Sequence, residues 1–364
     1  MPLKARLLAY YLPQFHPIPE NDEHWGKGFT EWTNVVKARP LFKGHYQPHV
    51  PTELGYYNLL EPEVRRAQAA LAKEYGIEGF CYWHYWMGNG KRLLERPFHE
   101  VVTSGEPDFP FCLCWANHTW SRIWTGEGRK VIAEQTYGGV QDYTAHFYAM
   151  LPAFRDKRYI RVNGELLFSI FSPTEIPDCL VFTTTWQELA TKEGLKGFHF
   201  VGLGTGREDL GKLGLAASSP HTPHHFLTQL NITLADRVSY KLFKRNIVEL
   251  KAAWLSLPRI YRYKDFVEAH FKKRYEPFEY PVVLPNWDHS PRSGKRAIVL
   301  QGSDPEKFST ILKHAVDSVE ERDPENRIIF IKAWNEWAEG NFLEPERLHG
   351  RGYLEKIRSF VPPA

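Results

Sequence analysis

Cysteine is scarce in this chain, and so is any excess of charge. Four cysteines (Cys81, Cys112, Cys114, Cys179) are spread over 364 residues, and no two are spaced as C-x-x-C. A zinc–thiolate site is therefore not expected; buried, reduced thiols in a cytoplasmic protein are. Lys and Arg number 46 against 43 Asp and Glu, a formal net charge of +3. A nucleic-acid partner usually requires a strongly basic face, so none is expected. No apolar run approaches the roughly 18 residues of a membrane span, and the first run is broken by Pro13 and Gln14. Neither a signal peptide nor a spanning helix is expected. The absence of Gly-x-Ser-x-Gly argues against a serine hydrolase. The absence of Asp-x-Asp argues against a transferase that holds a nucleotide diphosphate through a cation. Internal repeats and low-complexity segments are missing as well.

What the chain does have is tryptophan. Aromatics make up 15% of it, including 12 tryptophans. Ten of these (Trp25, Trp32, Trp83, Trp86, Trp115, Trp120, Trp124, Trp287, Trp334, Trp337) fall in five short stretches that also hold His, Asn, Asp or Glu. Leu and Ile fill a core without an N–H that needs a partner. Indole mixed with polar groups suits a pocket that stacks on a hydroxyl-rich, partly apolar ligand such as a sugar.

Eight near-continuous apolar runs read as parallel strands covered on both faces: 7–15, 79–86, 110–117, 166–172, 198–204, 215–219, 281–287 and 328–335. Helical patterns fall between them. Segment 62–75 starts with Pro62, stops at Gly76 and places Val64, Ala67, Leu71 and Tyr75 on one face. Segment 304–321 carries Phe308, Ile311, Leu312, Ala315, Val316 and Val319 at helical spacing, with Ser303-Asp-Pro-Glu306 resembling a capping box. Segments 141–154, 183–193 and 353–360 are further helices. This alternation predicts a (β/α)₈ TIM barrel spanning 1–364 as one catalytic domain, with an open doubly wound sheet as the alternative. A long loop (17–60) follows strand one. An insertion (224–280), helical around 241–255 and 263–274, separates strands six and seven. Between 226 and 280 eleven Lys/Arg stand against six Asp/Glu, a local surplus of +5. A solvated helical lid is the favoured reading. The sharper one is contact with an anionic membrane surface or a polyanionic glycan.

In a barrel of this kind, reacting groups sit where strands end at the carboxyl face. Polar residues gather at those ends here: Gln14 and His16 after strand one; Tyr82, His84 and Trp86 on strand two; Trp115, Asn117, His118 and Trp120 after strand three. Asn286, Trp287, Asp288 and His289 follow strand seven, and Trp334, Asn335, Glu336, Trp337 and Glu339 follow strand eight. The sharpest signal is IIFIKAWNEWAEG, 328–340, where an apolar strand runs into two carboxylates three residues apart. On a continuing strand Glu336 and Glu339 face opposite sides. If the chain turns after Glu336, both can face one pocket. A pair about 5–5.5 Å apart serves retaining glycoside hydrolysis, and about 6.5–9.5 Å leaves room for the water of inversion. Their mutual repulsion would also raise one pKa, giving an acid and a base in one site. The plainer alternative is that Glu339 simply opens a helix.

The stretches YYLPQFHPIPENDEHWGKGFTEWTNV (11–35), GFCYWHYW (79–86), CWANHTWSRIW (114–124) and KAWNEWAEGNFLEP (332–345) together resemble the WbsX family. Its members are described as polysaccharide-biosynthesis glycosyltransferases or as having a domain similar to family-99 glycoside hydrolases. At longer range the chain is similar to the family-99 endo-α-mannosidases and endo-mannanases, (β/α)₈ barrels with an NEWxEG-type motif on the last strand. The resemblance implies that Glu336 acts as base on the substrate's own 2-hydroxyl, generating an epoxide-like intermediate, and that Glu339 is the general acid/base. It also implies retention, without an enzyme nucleophile, on α-manno- or α-rhamno-configured substrates. The aromatic first-strand motif and the 17–60 loop look like WbsX and not family 99, so subsite residues and mannose specificity do not carry over.

The expectation is thus a retaining α-glycosidase acting on a bacterial-type poly- or oligosaccharide. A glycosyltransferase of O-antigen or capsular polysaccharide biosynthesis is the rival, and a non-catalytic glycan-binding barrel the third reading. Glu336 and Glu339 are the expected catalytic pair. Tyr11, Gln14, His16, Glu31, Trp32, Tyr82, His84, Trp86, Trp115, Asn117, His118, Trp120, Asp288, Asn335 and Trp337 are the expected sugar contacts. Glu31 ranks below the pair because it follows no strand. Gly202-Leu-Gly204-Thr-Gly206 lacks the third spaced glycine of a phosphate cradle. His221, His224 and His225, or His84 with His118, could form a metal cluster, but hydrogen-bonding histidines are the favoured reading. No metal or cofactor is expected. Oligomeric state is not legible.

Overall fold

Eight short parallel strands form the frame of the computed structural model, which describes residues 5–122, 127–227, 230, 239, 241–243 and 245–360. They are β1 (Arg6–Tyr11), β2 (Gly79–Gly88), β3 (Phe111–Trp115), β4 (Glu165–Ile170), β5 (Phe198–Leu203), β6 (Ala217–Ser219), β7 (Val282–Val283) and β8 (Ile328–Ile331). Each overlaps one of the eight runs read as strands. Their spatial order is β6-β5-β4-β3-β2-β1-β8-β7. The ends of that order meet: Ser218 N donates to Phe278 O at 2.9 Å, and Tyr280 N donates to Ser218 O at 2.8 Å. The sheet is therefore a near-closed (β/α)₈ barrel, and the open doubly wound alternative is excluded. All but β2 are shorter than their runs, most of all β7. In 281–287 only Val282–Val283 is regular strand, because Pro281 and Pro285 lack the N–H that a ladder needs.

The strands are buried on both faces, since side chains inside the barrel pack on each other and those outside pack under helices. All ten residues of β2 are buried. The helices α1 (Pro19–Trp25) and α2 (Glu31–Lys37) lie within 17–60, which is thus not a plain loop. A hydrogen bond from Glu31 N to Gln14 O, 3.2 Å, ties α2 to the end of β1. Helix α3 (Pro62–Glu74) starts and stops as the sequence suggests, but its buried face differs. Ala67 is exposed, while Arg65 and Gln68 are buried. Gln68 turns inward because it donates to the Glu344 carboxylate at 2.6 Å and accepts from the Tyr11 hydroxyl at 2.7 Å. The remaining wall helices are α4 (Arg96–Ser104), α5 (Gly139–Arg155), α6 (Cys179–Lys192) and α7 (Arg207–Leu213).

The insertion carries α8 (Ile247–Leu255) and α9 (Tyr263–Lys272) and also a strand, Arg259–Arg262, which the sequence reading lacks. That strand pairs in parallel with Ile298–Gln301 from the loop after β7, so the insertion is stitched to the carboxyl end of the barrel. Residues 228–229, 231–238, 240 and 244 of the insertion lie outside the described residues, as does Trp124. After α10 (Ser290–Ser293) come α11 (Pro305–Val319) and α12 (Gly352–Arg358). The cap of α11 is Asp304, whose carboxylate accepts from Lys307 N at 2.8 Å, and not Ser303 with Glu306. Asp304, one residue nearer the helix, takes the N-cap position and accepts from the free N–H of the first turn. All four cysteines are buried and unpaired. Among the described residues, no helix is long and apolar enough to cross a membrane.

One close approach in the barrel wall depends on glycine. A Cβ on Gly79 would stand 2.5 Å from Pro110 O and 2.8 Å from the Ile160 side chain. Gly79→Ala should therefore cost about 1–3 kcal/mol through overpacking, read as a lowered Tm in calorimetry.

Candidate active site

The last strand ends in a tight reversal. Asn335–Glu336 pairs antiparallel with Asn341–Phe342, and Trp337–Glu339 forms a single helical turn between them. Gly340 closes that turn at φ +66°, where a Cβ would lie 2.8 Å from Asp288 N. The chain thus turns immediately after Glu336, and the two carboxylates face one pocket. An open cavity of about 590 Å³ is lined by Glu336 and Glu339 with Gln14, Trp83, Tyr85, His118, Trp120, Phe171, Arg292 and Lys332 among others.

The carboxylates are in contact through a hydrogen bond between their side chains. Burial pushes the Glu336 carboxyl well up, and the negative charge of Glu339 pushes it further. Burial also acts upward on Glu339, but the positive charges of Arg292 and Lys332 and the hydrogen bond from Glu336 outweigh it and hold Glu339 well down. The two carboxyls titrate as a pair, Glu336 the member pushed up and Glu339 the member held down. Trp83 supports that carboxyl from the wall, donating Nε1–H to Glu336 Oε1 at 2.6 Å.

Arg292 is the hub. Its guanidinium donates to Glu339 and, at 2.9–3.0 Å, to Glu31 Oε2. Glu31 is 0% exposed, so it sits behind the arginine and does not reach the pocket. Lys332 approaches the rings of Trp287 and Trp83, 5.0 and 5.9 Å from their centroids. The positive charges of Arg292 and Lys332 stand against the carboxylates of Glu31 and Glu339.

The sequence-derived contacts divide sharply. Gln14, His118 and Trp120 line the pocket with the two glutamates. Tyr82, His84 and Trp86 do not. Successive strand residues point to opposite faces, and on β2 the inward set is Trp83 and Tyr85. Tyr82 instead packs against Phe98 of α4. His84 pairs with His146 of α5 at 2.7 Å, so a His84–His118 metal pair is excluded. Trp86 donates to Asp142 of α5 at 3.2 Å. Trp115 is likewise outward, its indole donating to Trp86 O at 2.9 Å.

Several others are braces. Asn335 Nδ2 donates to Leu12 O at 3.0 Å and its Oδ1 accepts from Leu12 N at 2.7 Å, locking β1 to the end of β8. Asn117 does the same for the ends of β3 and β4 through Ser172 N and O. Trp337 is buried, stacked on Phe342 and donating to Glu344 at 2.6 Å. Trp32 donates to Tyr57 O at 2.8 Å, and Tyr11 is held by Gln68. His16 is buried away from the cavity. Asp288 lines a separate cavity, where it accepts from Gln47 Nε2 at 2.7 Å and pairs with His45 Nε2 at 2.7 Å. The glycine-rich segment is no phosphate cradle: Asp209 already accepts from Gly206 N at 3.2 Å.

Seven lining residues were missed by sequence reasoning: Leu12, Trp83, Tyr85, Ala116, Phe171, Arg292 and Lys332. Lys332 had a signal, a single charge ending the apolar run IIFI. Arg292, in the polar stretch Asp288–Arg296, had none. Arg292→Met should strand Glu31 in the interior and cost about 3–5 kcal/mol in denaturant unfolding. Adding Glu31→Gln should recover part of that loss, because the buried charge is then gone.

The comparisons with known proteins agree with this architecture. The family described as Glycosyltransferase WbsX matches residues 7–357. Two curated proteins from strains of Xanthomonas campestris pv. campestris, each described as "Uncharacterized protein WxcX", are 37% identical over 367 residues. Those matches cover 100% of this chain and 50% of each relative, so the chain spans about half their length. Among solved structures, a "Glycoside hydrolase-like protein" superposes with a TM-score of 0.60 at 10% identity, covering 100% of this chain and 97% of the other. A GH99 endo-α-mannosidase from Bacteroides thetaiotaomicron, in complex with bis-tris-propane, gives 0.56 at 14% identity over 98% of this chain and 96% of that one. At such identities the likeness concerns the fold alone. On the near-complete family match, this chain belongs to the WbsX family of carbohydrate-active proteins.

Proposed function

We propose that this barrel is a retaining glycoside hydrolase acting on α-linked, manno- or rhamno-configured poly- or oligosaccharide, with the whole chain as one catalytic unit. The observation that carries the reading is the pair Glu336–Glu339, titrating together in a pocket walled by Trp83, Tyr85 and Trp120. Such a pair offers an acid and a base within one sugar ring's reach. Aromatic walls suit the apolar faces of a sugar, and Gln14 and His118 add polar contacts.

The family-99 resemblance assigns the base role to Glu336 and the acid role to Glu339. The free pocket favours the proton on Glu336 and the charge on Glu339, so these roles call for the proton to pass to Glu339 along their hydrogen bond when substrate is bound. From there the electrons balance. Glu336 takes the 2-hydroxyl proton as O2 bonds to C1, and the C1–O bond to the leaving group breaks as Glu339 protonates that oxygen. Water, deprotonated by Glu339, then opens the three-membered ring and O2 regains its proton from Glu336. Two displacements at C1 give retention. A metal-independent transferase would need surplus positive charge for a diphosphate leaving group. Arg292 and Lys332 are already matched by Glu31 and Glu339, which favours the hydrolase over the transferase.

Glu339→Gln should lower hydrolysis of α-mannan or rhamnan oligosaccharides by about 10²–10⁴-fold, with a much smaller loss on an aryl glycoside bearing a good leaving group. If Glu336→Gln shows that rescue instead, the two roles are exchanged. A substrate lacking the 2-hydroxyl should not turn over; turnover would end the epoxide route. Thermal stabilisation by a nucleoside diphosphate, with none by oligosaccharide, would favour the transferase.

The pair must keep one proton to act. As pH rises, kcat/KM should therefore fall at a midpoint well above the ordinary carboxylate value of 4.5, where Glu336 ionises. Lys332 acts to lower that midpoint. Lys332→Met should shift it upward in a pH–rate profile, because removing a nearby cation disfavours the carboxylate form.

A further inference from the structure

Helix α8 is built in a way that its own fold does not explain. Seven of its nine residues, IVELKAAWL, are apolar, yet none is buried. Its start is fixed by a local cap. Asn246 accepts from Glu249 N at 2.8 Å, and the Glu249 carboxylate accepts from Asn246 N at 3.1 Å, a complete capping box. Trp254 is 85% exposed and Leu255 51%; just upstream, Leu242 is 68% and Phe243 60% exposed. Single exposed apolar residues are ordinary, but four large ones on one short segment mark a surface that something covers.

The charge around them says what kind of surface. A groove beside α8 is lined by Arg245, Arg259, Lys295 and Arg296, with Glu249 the one acid among its described lining residues. Lys241 and Lys251 are exposed on the same segment. Trp, Phe and Leu flanked by Lys and Arg is the composition of elements that lie in a membrane interface. A second copy of this chain would bring four cations against four, so self-association through this face is electrostatically opposed. Lys295 and Arg296 follow Arg292 by three and four residues, and the Arg259–Arg262 strand pairs with Ile298–Gln301. The surface and the carboxylate pocket therefore occupy the same end of the barrel.

We propose that α8 and the groove beside it dock the protein on an anionic lipid bilayer, with Trp254, Leu255, Leu242 and Phe243 entering the interface and the groove cations meeting lipid phosphates. The solvated lid favoured from sequence gives way to this reading because the exposed face of α8 is apolar.

The test is co-sedimentation of the full chain with vesicles of phosphatidylcholine alone and of phosphatidylcholine with phosphatidylglycerol. Binding is expected to the anionic vesicles, weakened by high salt and lowered about tenfold or more by Trp254→Ser with Leu255→Ser. Arg245→Glu with Lys295→Glu should lower it similarly while leaving the near-UV circular dichroism unchanged. The proposal is overturned if the anionic vesicles do not retain the protein, or if neither double variant weakens binding. A dimer in sedimentation velocity that Trp254→Ser dissociates would overturn it too. None of these residues touches the carboxylate pocket, so hydrolysis of a soluble oligosaccharide is unaffected by either double variant.

Discussion

The contact on which the site depends is the double ion pair of Arg292 with Glu31 and Glu339. It joins three separate parts of the chain: the helix after β1, the short helix after β7 and the turn after β8. Each member is costly to bury alone, and together they are affordable only because each carboxylate has a donor and the guanidinium can serve two acceptors. The electrostatic consequence reaches the chemistry. By drawing the Glu339 carboxyl down, Arg292 favours Glu336 as the protonated member of the pair. The protonation state of the pair is therefore set by a residue that itself comes from outside the barrel strands.

Around that hub the barrel places a second ring of buried polar braces. Glu344 accepts from Tyr57, Gln68 and Trp337, and burial pushes its carboxyl up to about 7. Asn335 and Asn117 clamp neighbouring strand ends through backbone groups. These residues do not reach the cavity, yet they fix the turn and the walls that do. The dense mixture of tryptophan with Asn and Glu thus has two origins. Part of it lines the pocket, and part satisfies indole N–H groups in the layer behind.

The insertion adds a different kind of feature. Other large apolar residues are exposed singly or in pairs, whereas α8 and the residues just before it display several next to cations. Its strand couples it to the loop that supplies Arg292, so whatever this surface meets is brought to the pocket's end of the barrel.

Much of the architecture follows from the sequence alone, because burial on both faces writes parallel strands as apolar runs and the helices between them carry their own periodicity and caps. The turn after Glu336 is legible too, once Gly340 is seen to end NEWAEG. The same double burial erased the rest. With all ten β2 residues buried, no alternation of polarity tells which side chains point inward, and a shift of one residue exchanges Trp83 and Tyr85 for Tyr82, His84 and Trp86. Arg292 was hidden for another reason: its partners, Glu31 and Glu339, lie 261 and 47 residues away. Pairing across such distances has no local signature. Strand identity is a matter of neighbours in the chain, whereas the facing of a strand and the company a charge keeps are decided only when the barrel closes.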